Sequence, residues 1–191
     1  MCTRPLFGCF VVLGVVACRR SAAPPSLVEG QGQIAVVHTF KNGLAGTLAN
    51  DAVKLRIIAD SAAIRDSVLV VEYSAPNGNP AARDVRLEAE HTSWSEGTAL
   101  RFEARPEHAS RISVSFVDRN GVAYTAWKNL RGGMWQTVRV GFDEIRPNPY
   151  FQPPGAKLGS RIDVSEVKWM AFAPQDSEAG RLEIRRVELV K

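Results

Sequence analysis

The side chains best suited to chemistry in this chain are aromatic rings and charged groups. Trp127, Tyr124, Tyr150 and Trp169 supply flat rings, and Arg101, Glu103, Arg105, Arg139 and Lys168 supply charge at strand-like positions. Such rings stack on the CH faces of sugars while charged and amide groups take the hydroxyls. Tyr124 and Trp127 are three apart, so on a regular strand they face opposite ways and at most one joins a platform. The connection 146–160, RPNPYFQPPGAKLGS, holds four prolines. Proline stiffens a loop, so Tyr150 and Phe151 either present a preformed contact surface or fold back to cap the domain. Trp94 and Trp135 read as packing residues, and Trp169 stands open between packing and surface.

Other chemistries find little support. Glu88 and Glu90 alternate as a glycosidase pair would on one strand face, but two such carboxylates ordinarily mark a solvated face. His38, His91 and His108 are too scattered to share a metal. Asp118-Arg119-Asn120-Gly121 begins like a calcium loop, yet Asn129 stands where the acidic twelfth residue belongs, so it reads as a turn. Arg131-Gly132-Gly133 lacks the Lys-Ser/Thr ending of a phosphate loop and reads as a strand connection. No Gly-x-Ser-x-Gly elbow occurs. A noncatalytic protein without cofactor or metal is expected.

Residues 1–18 carry a different signal. Arg4, an apolar run to Val16, and Val15-Val16-Ala17-Cys18 have the form of a bacterial lipoprotein export signal, in which Cys18 receives the lipid. The run is about a dozen residues, short of the roughly 20 that span a bilayer. The expected product is anchored to the membrane through lipidated Cys18. Residues 1–17 form the signal peptide, 18–26 the acylated cysteine and a polar, proline-bearing tether, and 27–191 one domain. Arg19 follows the cysteine, which favours the outer over the inner membrane if the cell is Gram-negative. Cys2 and Cys9 leave with the signal, so no disulfide or thiolate site is expected. The net charge is +4, with both signs interspersed. That pattern lacks the basic stripe of a nucleic-acid binder.

From Leu27 onward short β-like runs alternate with turn residues, and no helical period is sustained. Strands are expected at 34–40, 53–59, 66–74, 84–90, 98–105, 111–117, 122–128, 135–142, 166–173 and 181–190. Leu100, Phe102 and Ala104 oppose Arg101, Glu103 and Arg105, while Val138, Val140 and Phe142 oppose Thr137 and Arg139. An all-β, two-sheet antiparallel sandwich follows. Asn120-Gly121 suits a tight hairpin. The alternation of Leu182 and Ile184 with Val187 and Leu189 slips by one residue, which predicts a β-bulge at Arg185-Arg186.

From about Asp66 to Val190 the order of signals resembles a galactose-binding-like jelly-roll group. This group includes family 11 carbohydrate-binding modules and the complex I intermediate-associated protein domain. The resemblance runs through Val68–Tyr73, Thr92-Ser93-Trp94-Ser95 with Leu100-Arg101-Phe102, and Val117–Gly121. It continues through Met134–Val140 with Phe142, Ile162–Val167 with Phe172, and Gly180–Leu189. It implies a jelly roll that binds carbohydrate or a glycan-bearing polymer, with candidate ligand contacts at Tyr150, Phe151, Trp127, Trp169, Arg101, Glu103 and Arg139. The alternative is a protein-interaction module in the cell envelope, its arginines, Arg185 and Arg186 among them, meeting an acidic partner. Where relatives often place acidic residues in the closing strand, some of them calcium ligands, this chain has Ile184-Arg185-Arg186-Val187. Guanidinium groups cannot replace oxygen ligands.

Overall fold

The computed structural model describes residues 34–49, 51–59, 67–74, 83–88, 94–158 and 161–191. Cys18, the signal and tether, Glu90 and His91 lie outside them.

Among the described residues, twelve strands build two antiparallel sheets. The first contains β3 (Val53–Ala59), β4 (Ser67–Tyr73), β12 (Gly180–Val190), β6 (Ala99–Pro106) and β9 (Gln136–Gly141) in that order. β1 (Ile34–His38) pairs with the last residues of β12, setting Ile34 opposite Val190. The second sheet runs β10 (Arg146–Pro147), β8 (Ala123–Leu130), β7 (Ser110–Asp118), β11 (Val167–Pro174), β5 (Val85–Glu88) and β2 (Thr47–Ala49). All ten expected strands are present, 53–59 with its ends unchanged and the others, where their ends are described, moved by at most two residues. The very short β2 and β10 carry too few residues to show a period.

The alternating apolar sets meet between the layers. Phe102, Val114 and Val140 are fully buried, and Phe102 meets Phe172 of the other sheet edge-on at 4.9 Å. At one end Trp94 lies parallel to Phe142 at 6.0 Å and edge-on to Phe116 at 5.8 Å. Burying such rings is the main stabilising term where no cross-link joins the described residues. The first strand stops at His38 because Phe40 adopts a φ of 57°. That turn drives its ring into the core, where it is 1% exposed.

Three local devices hold the layers in register. β12 bulges between Arg185 and Glu188, where two residues oppose one on β6, and Arg186 takes a φ of 52°. The extra residue returns Val187 and Leu189 to the core side. In the β7–β8 hairpin, buried Asp118 accepts from the amides of Asn120 and Val122 at 2.9 and 3.0 Å and of Asp163 at 3.1 Å. Gly121 supplies the positive φ of that turn. Between β8 and β9, a Cβ on Gly132 would come within 2.7 Å of backbone atoms of His108 and Ala109. Only glycine lets the connection pass so close.

Where the two sheets approach at one edge, the Asp176 carboxylate accepts from the Tyr73 and Ser110 hydroxyls, each at 2.7 Å. Burial, reinforced by the hydrogen bond to that carboxylate, holds the Tyr73 phenol well above its ordinary ionisation range.

Candidate functional site

The outer face of the second sheet gathers two of the expected rings. β8 and β11 flank β7, with Trp127 opposite Ser113 and Trp169 opposite Val117. The rings are therefore two strand spacings apart laterally and four residues apart lengthwise, roughly 16 Å on the diagonal. Both are half-buried. Arg111 lies over Trp127 at 5.4 Å and Arg86 over Trp169 at 4.7 Å. Asp84 holds Arg86 from below, Oδ2 to Nε 2.9 Å.

Between the rings the face is floored by small side chains. Ser113 and Ser115 of β7 stand beside Ala171 and Ala173 of β11 and Thr125 of β8. Ser115 and Thr125 hydroxyls bond to each other at 3.1 Å, and Gln175 donates to Ser113 at 3.1 Å. Bulky rings at opposite corners of a floor of one- to three-atom side chains, of which Thr125, Ala171 and Ala173 are buried, outline a shallow trough. Its floor is polar and already ordered by its own hydrogen bonds.

The Pro-rich connection borders the same face beyond β8. Gln152 grips Ala123 through both backbone groups, accepting from its amide at 3.0 Å and donating to its carbonyl at 2.9 Å. Asn148 caps the turn by accepting from the amides of Tyr150 and Phe151 at 2.9 and 3.2 Å. Tyr150 is 87% and Phe151 46% exposed, so neither ring folds back over the core. Val117 links this end of β8 to Trp169, which places the loop and Trp169 at one end of the trough and Trp127 at the other.

Four of the five charged residues expected to join these rings lie elsewhere, and Lys168 alone is on β11 next to Trp169. Arg101, Glu103 and Arg139 belong to β6 and β9 and project from the outer face of the first sheet, the opposite side of the sandwich. Alternation in sequence tells inward from outward, but it does not say which layer a strand joins. Tyr124 is also removed from the surface set. It is 1% exposed in the core, and its hydroxyl donates to the Arg161 carbonyl at 2.8 Å. Burial, aided by the charges of Asp118 and Asp163, raises its ionisation. Sequence reasoning missed Arg86 and Arg111 as partners of the rings, although an arginine two residues before Glu88 on the same strand face was the available signal.

On the first sheet, ion pairs lace neighbouring strands. Arg101 binds Glu188 through Nε at 3.0 Å and Nη2 at 2.7 Å. Arg105 and Arg181 converge on Glu183, which is 2% exposed. Arg185 Nε and Arg186 Nη1 reach Glu103 at 2.6 and 3.1 Å, and Arg56 pairs with Glu72 at 3.0 Å. Trp135 is not a simple packing residue. Arg105 and Arg185 lie over its ring at 4.9 and 4.2 Å.

A two-layer antiparallel jelly roll is what these sheets define. The fold is similar to a family 11 carbohydrate-binding module from Clostridium thermocellum in complex with a β-1,3-1,4-mixed-linked tetrasaccharide. The match has a TM-score of 0.64 and 15% identity over 82% of this chain and 95% of that one. The solution structure of CtCBM11 matches with a TM-score of 0.69 and 15% identity, over 86% and 98% of the two chains. An exo-β-agarase matches with a TM-score of 0.59 and 12% identity, over 81% of this chain and 24% of the enzyme. No family profile matches the sequence, and no curated protein is similar to it. Likeness at this identity establishes the fold, and function must be argued from the site.

Proposed function

We propose that the domain is a noncatalytic carbohydrate-binding module that lays a glycan chain along the trough of the second sheet, anchored in the bacterial envelope through acylated Cys18. The observation that carries this reading is the placement of Trp127 and Trp169 at opposite ends of one outward face, above a floor of Ser, Thr and Ala. Rings held by Arg86 and Arg111 need little reordering when a sugar arrives, which lowers the entropic cost of binding. Tyr150 and Phe151 extend the trough beyond β8. The solved carbohydrate-binding modules of the same fold support the ligand class.

The test is affinity electrophoresis of the full-length chain through gels holding mixed-linked β-glucan, other glucans, peptidoglycan fragments or lipopolysaccharide sugars. Retention by at least one polymer, lost when Trp127 and Trp169 are both replaced by Ala, is the expected result. Free migration through every gel rules the reading out. Anchoring is checked separately: Cys18→Ser should abolish incorporation of labelled fatty acid in the bacterial host.

A further inference from the structure

We propose that the end of the sandwich carrying the Pro-rich connection is a membrane-contact surface, which seats the anchored domain upright on the bilayer. The proposal rests on the reading that the chain is held in the envelope through Cys18, and it concerns how the domain meets the lipid. Three of the seven large apolar side chains exposed among the described residues, Tyr150, Phe151 and Leu158, fall within one stretch of nine residues. The same connection sends Ala156 and Ile162 against the core, so it is not a loop that lacks a core to pack on. Its outward rings are also fixed there, because Asn148 and Gln152 fasten the backbone on either side of them. An apolar cluster held in water marks a contact surface, and rings on a projecting loop suit the headgroup layer of a bilayer.

Register places this loop at the end where the domain begins. Ile34, Val190, Ala99 and Gly141 form one row across the first sheet. β9 leaves that row at Gly141, and the chain enters β10 only five residues later, at Arg146. On the far side of the connection the Val164 carbonyl accepts from the Trp94 amide at 2.8 Å, while the Thr98 amide donates to the Val190 carbonyl at 2.7 Å. The loop and Ile34 therefore share one end of the sandwich. Cys18 and Ile34 are sixteen residues apart, a span of at most about 55 Å when fully extended. Such a reach brings the domain to the bilayer without choosing which side faces it. The rings make that choice, and the anchor holds them at an effective concentration near the millimolar range, where a contact of few side chains is enough.

The charges around the rings fit a phosphate-bearing surface. From 146 to 158 the loop holds Arg146 and Lys157 and no acidic residue, and exposed Arg119 and Arg161 flank it. The acids nearby are largely engaged. Asp118 is buried on three amides, Asp163 accepts from the Ser165 hydroxyl and amide at 2.6 and 3.0 Å, and Glu144 holds Lys128 at 2.6 Å. Lys191 pairs with Glu96, which leaves Asp143 and Glu166 as the exposed acids of this end, with Lys168 beside the latter. Long cationic side chains next to inserted rings reach headgroup phosphates. A protein partner would want a broader apolar centre within a polar rim. The trough runs up to the same loop, so on a domain seated this way it rises from the bilayer with Trp127 farthest from the lipid.

The experiment replaces Tyr150, Leu158 or Met134, one at a time, by the photo-crosslinking residue p-benzoylphenylalanine in the full-length chain, and irradiates intact cells of the bacterial host. Met134 is the control: it is half exposed on the β8–β9 connection, at the opposite end, where the Gly133 amide bonds the Pro106 carbonyl. Phospholipid adducts should form at 150 and 158 and be about ten-fold fewer at 134. Tyr150→Ser combined with Phe151→Ser should cut the adduct at 158 about ten-fold, the factor that burying one such ring is worth. The melting temperature should stay unchanged, because both rings are exposed. No phospholipid adduct at 150 and 158, an equal yield at 134, or an unchanged yield at 158 in the double variant overturns the inference. Adducts with glycan or protein alone do so in favour of the trough or of a partner. Labelled fatty acid on Cys18 is read in the same cells. An acylated chain without lipid adducts at 150 and 158 removes this inference and leaves the anchor standing, whereas lipid adducts there on an unacylated chain keep the surface and remove the anchor.

Discussion

Replacing Trp127 and Trp169 by Ala, singly and together, tests the trough most directly. Each ring sits on the outer face with one guanidinium over it, so its removal costs the fold about 0.5–1 kcal/mol of cation–π contact. Both variants should therefore stay folded. Stacking on a sugar contributes about 1 kcal/mol per ring, a factor of about five in affinity. The rings are roughly 16 Å apart by strand spacing and rise, beyond the distance at which substitutions couple, so their effects should multiply to about 30-fold in the double variant. A disaccharide is shorter than that gap. It should lose affinity in one single variant and not in the other, whereas a longer oligosaccharide crossing the face should lose in both. Isothermal titration calorimetry with a graded series of β-glucan oligosaccharides reads the pattern. Equal losses for the disaccharide in both variants, or an unchanged long oligosaccharide in the double variant, would refute the two-ended trough.

Other outcomes follow from the packing and the titrating groups. Gly132→Ala forces a Cβ against the His108 and Ala109 backbone and should destabilise by about 1–3 kcal/mol, seen as a melting point lower by about 2–4 °C per kcal/mol. Asp118→Ala leaves the amides of Asn120, Val122 and Asp163 without their acceptor; a loss of about 1–3 kcal/mol should appear as a lower urea midpoint at unchanged slope. Tyr73 ionises at higher pH in the fold than in the unfolded chain, so its contribution is complete below pH 10 and declines as pH rises past the unfolded value. Tyr73→Phe should flatten that alkaline decline in unfolding titrations. Asp163 is the opposite case, its ionisation lowered by the hydroxyl and amide of Ser165. Its contribution is present above its unfolded value and lost as pH falls through the lowered one, a loss that Ser165→Ala should shrink.

Period-two alternation made most strands legible, because Phe102, Val114 and Val140 mark a buried side however the sheets are arranged. The bulge at Arg185-Arg186 was equally readable, since Ile184 and Val187 are three apart and can share the core side only if the strand takes in one extra residue between them. The candidate site was legible only in part. The sequence marks Trp127 and Trp169 as rings, but Arg101, Glu103, Arg105 and Arg139 belong to β6 and β9, which close into the other sheet. Sheet membership depends on pairings such as β8 with β7 and β9 with β6, long-range choices that no local pattern records. Tyr124 departs from its expected surface place for a related reason: its phenol has one polar atom, and the single carbonyl of Arg161 satisfies it inside the core. The fate of Tyr150 and Phe151 turned on Asn148 and Gln152, whose side chains peg the loop's backbone and leave its rings outside.

Because β1 lies alongside the end of β12, with Ile34 against Val190, both ends of the sandwich emerge at one corner of the first sheet. A further segment joined at either of these two ends would share a single point of suspension, like a pennant on a mast. Circular permutants that join the two ends by a short bridge and open the chain near Gly155 should consequently keep the same architecture.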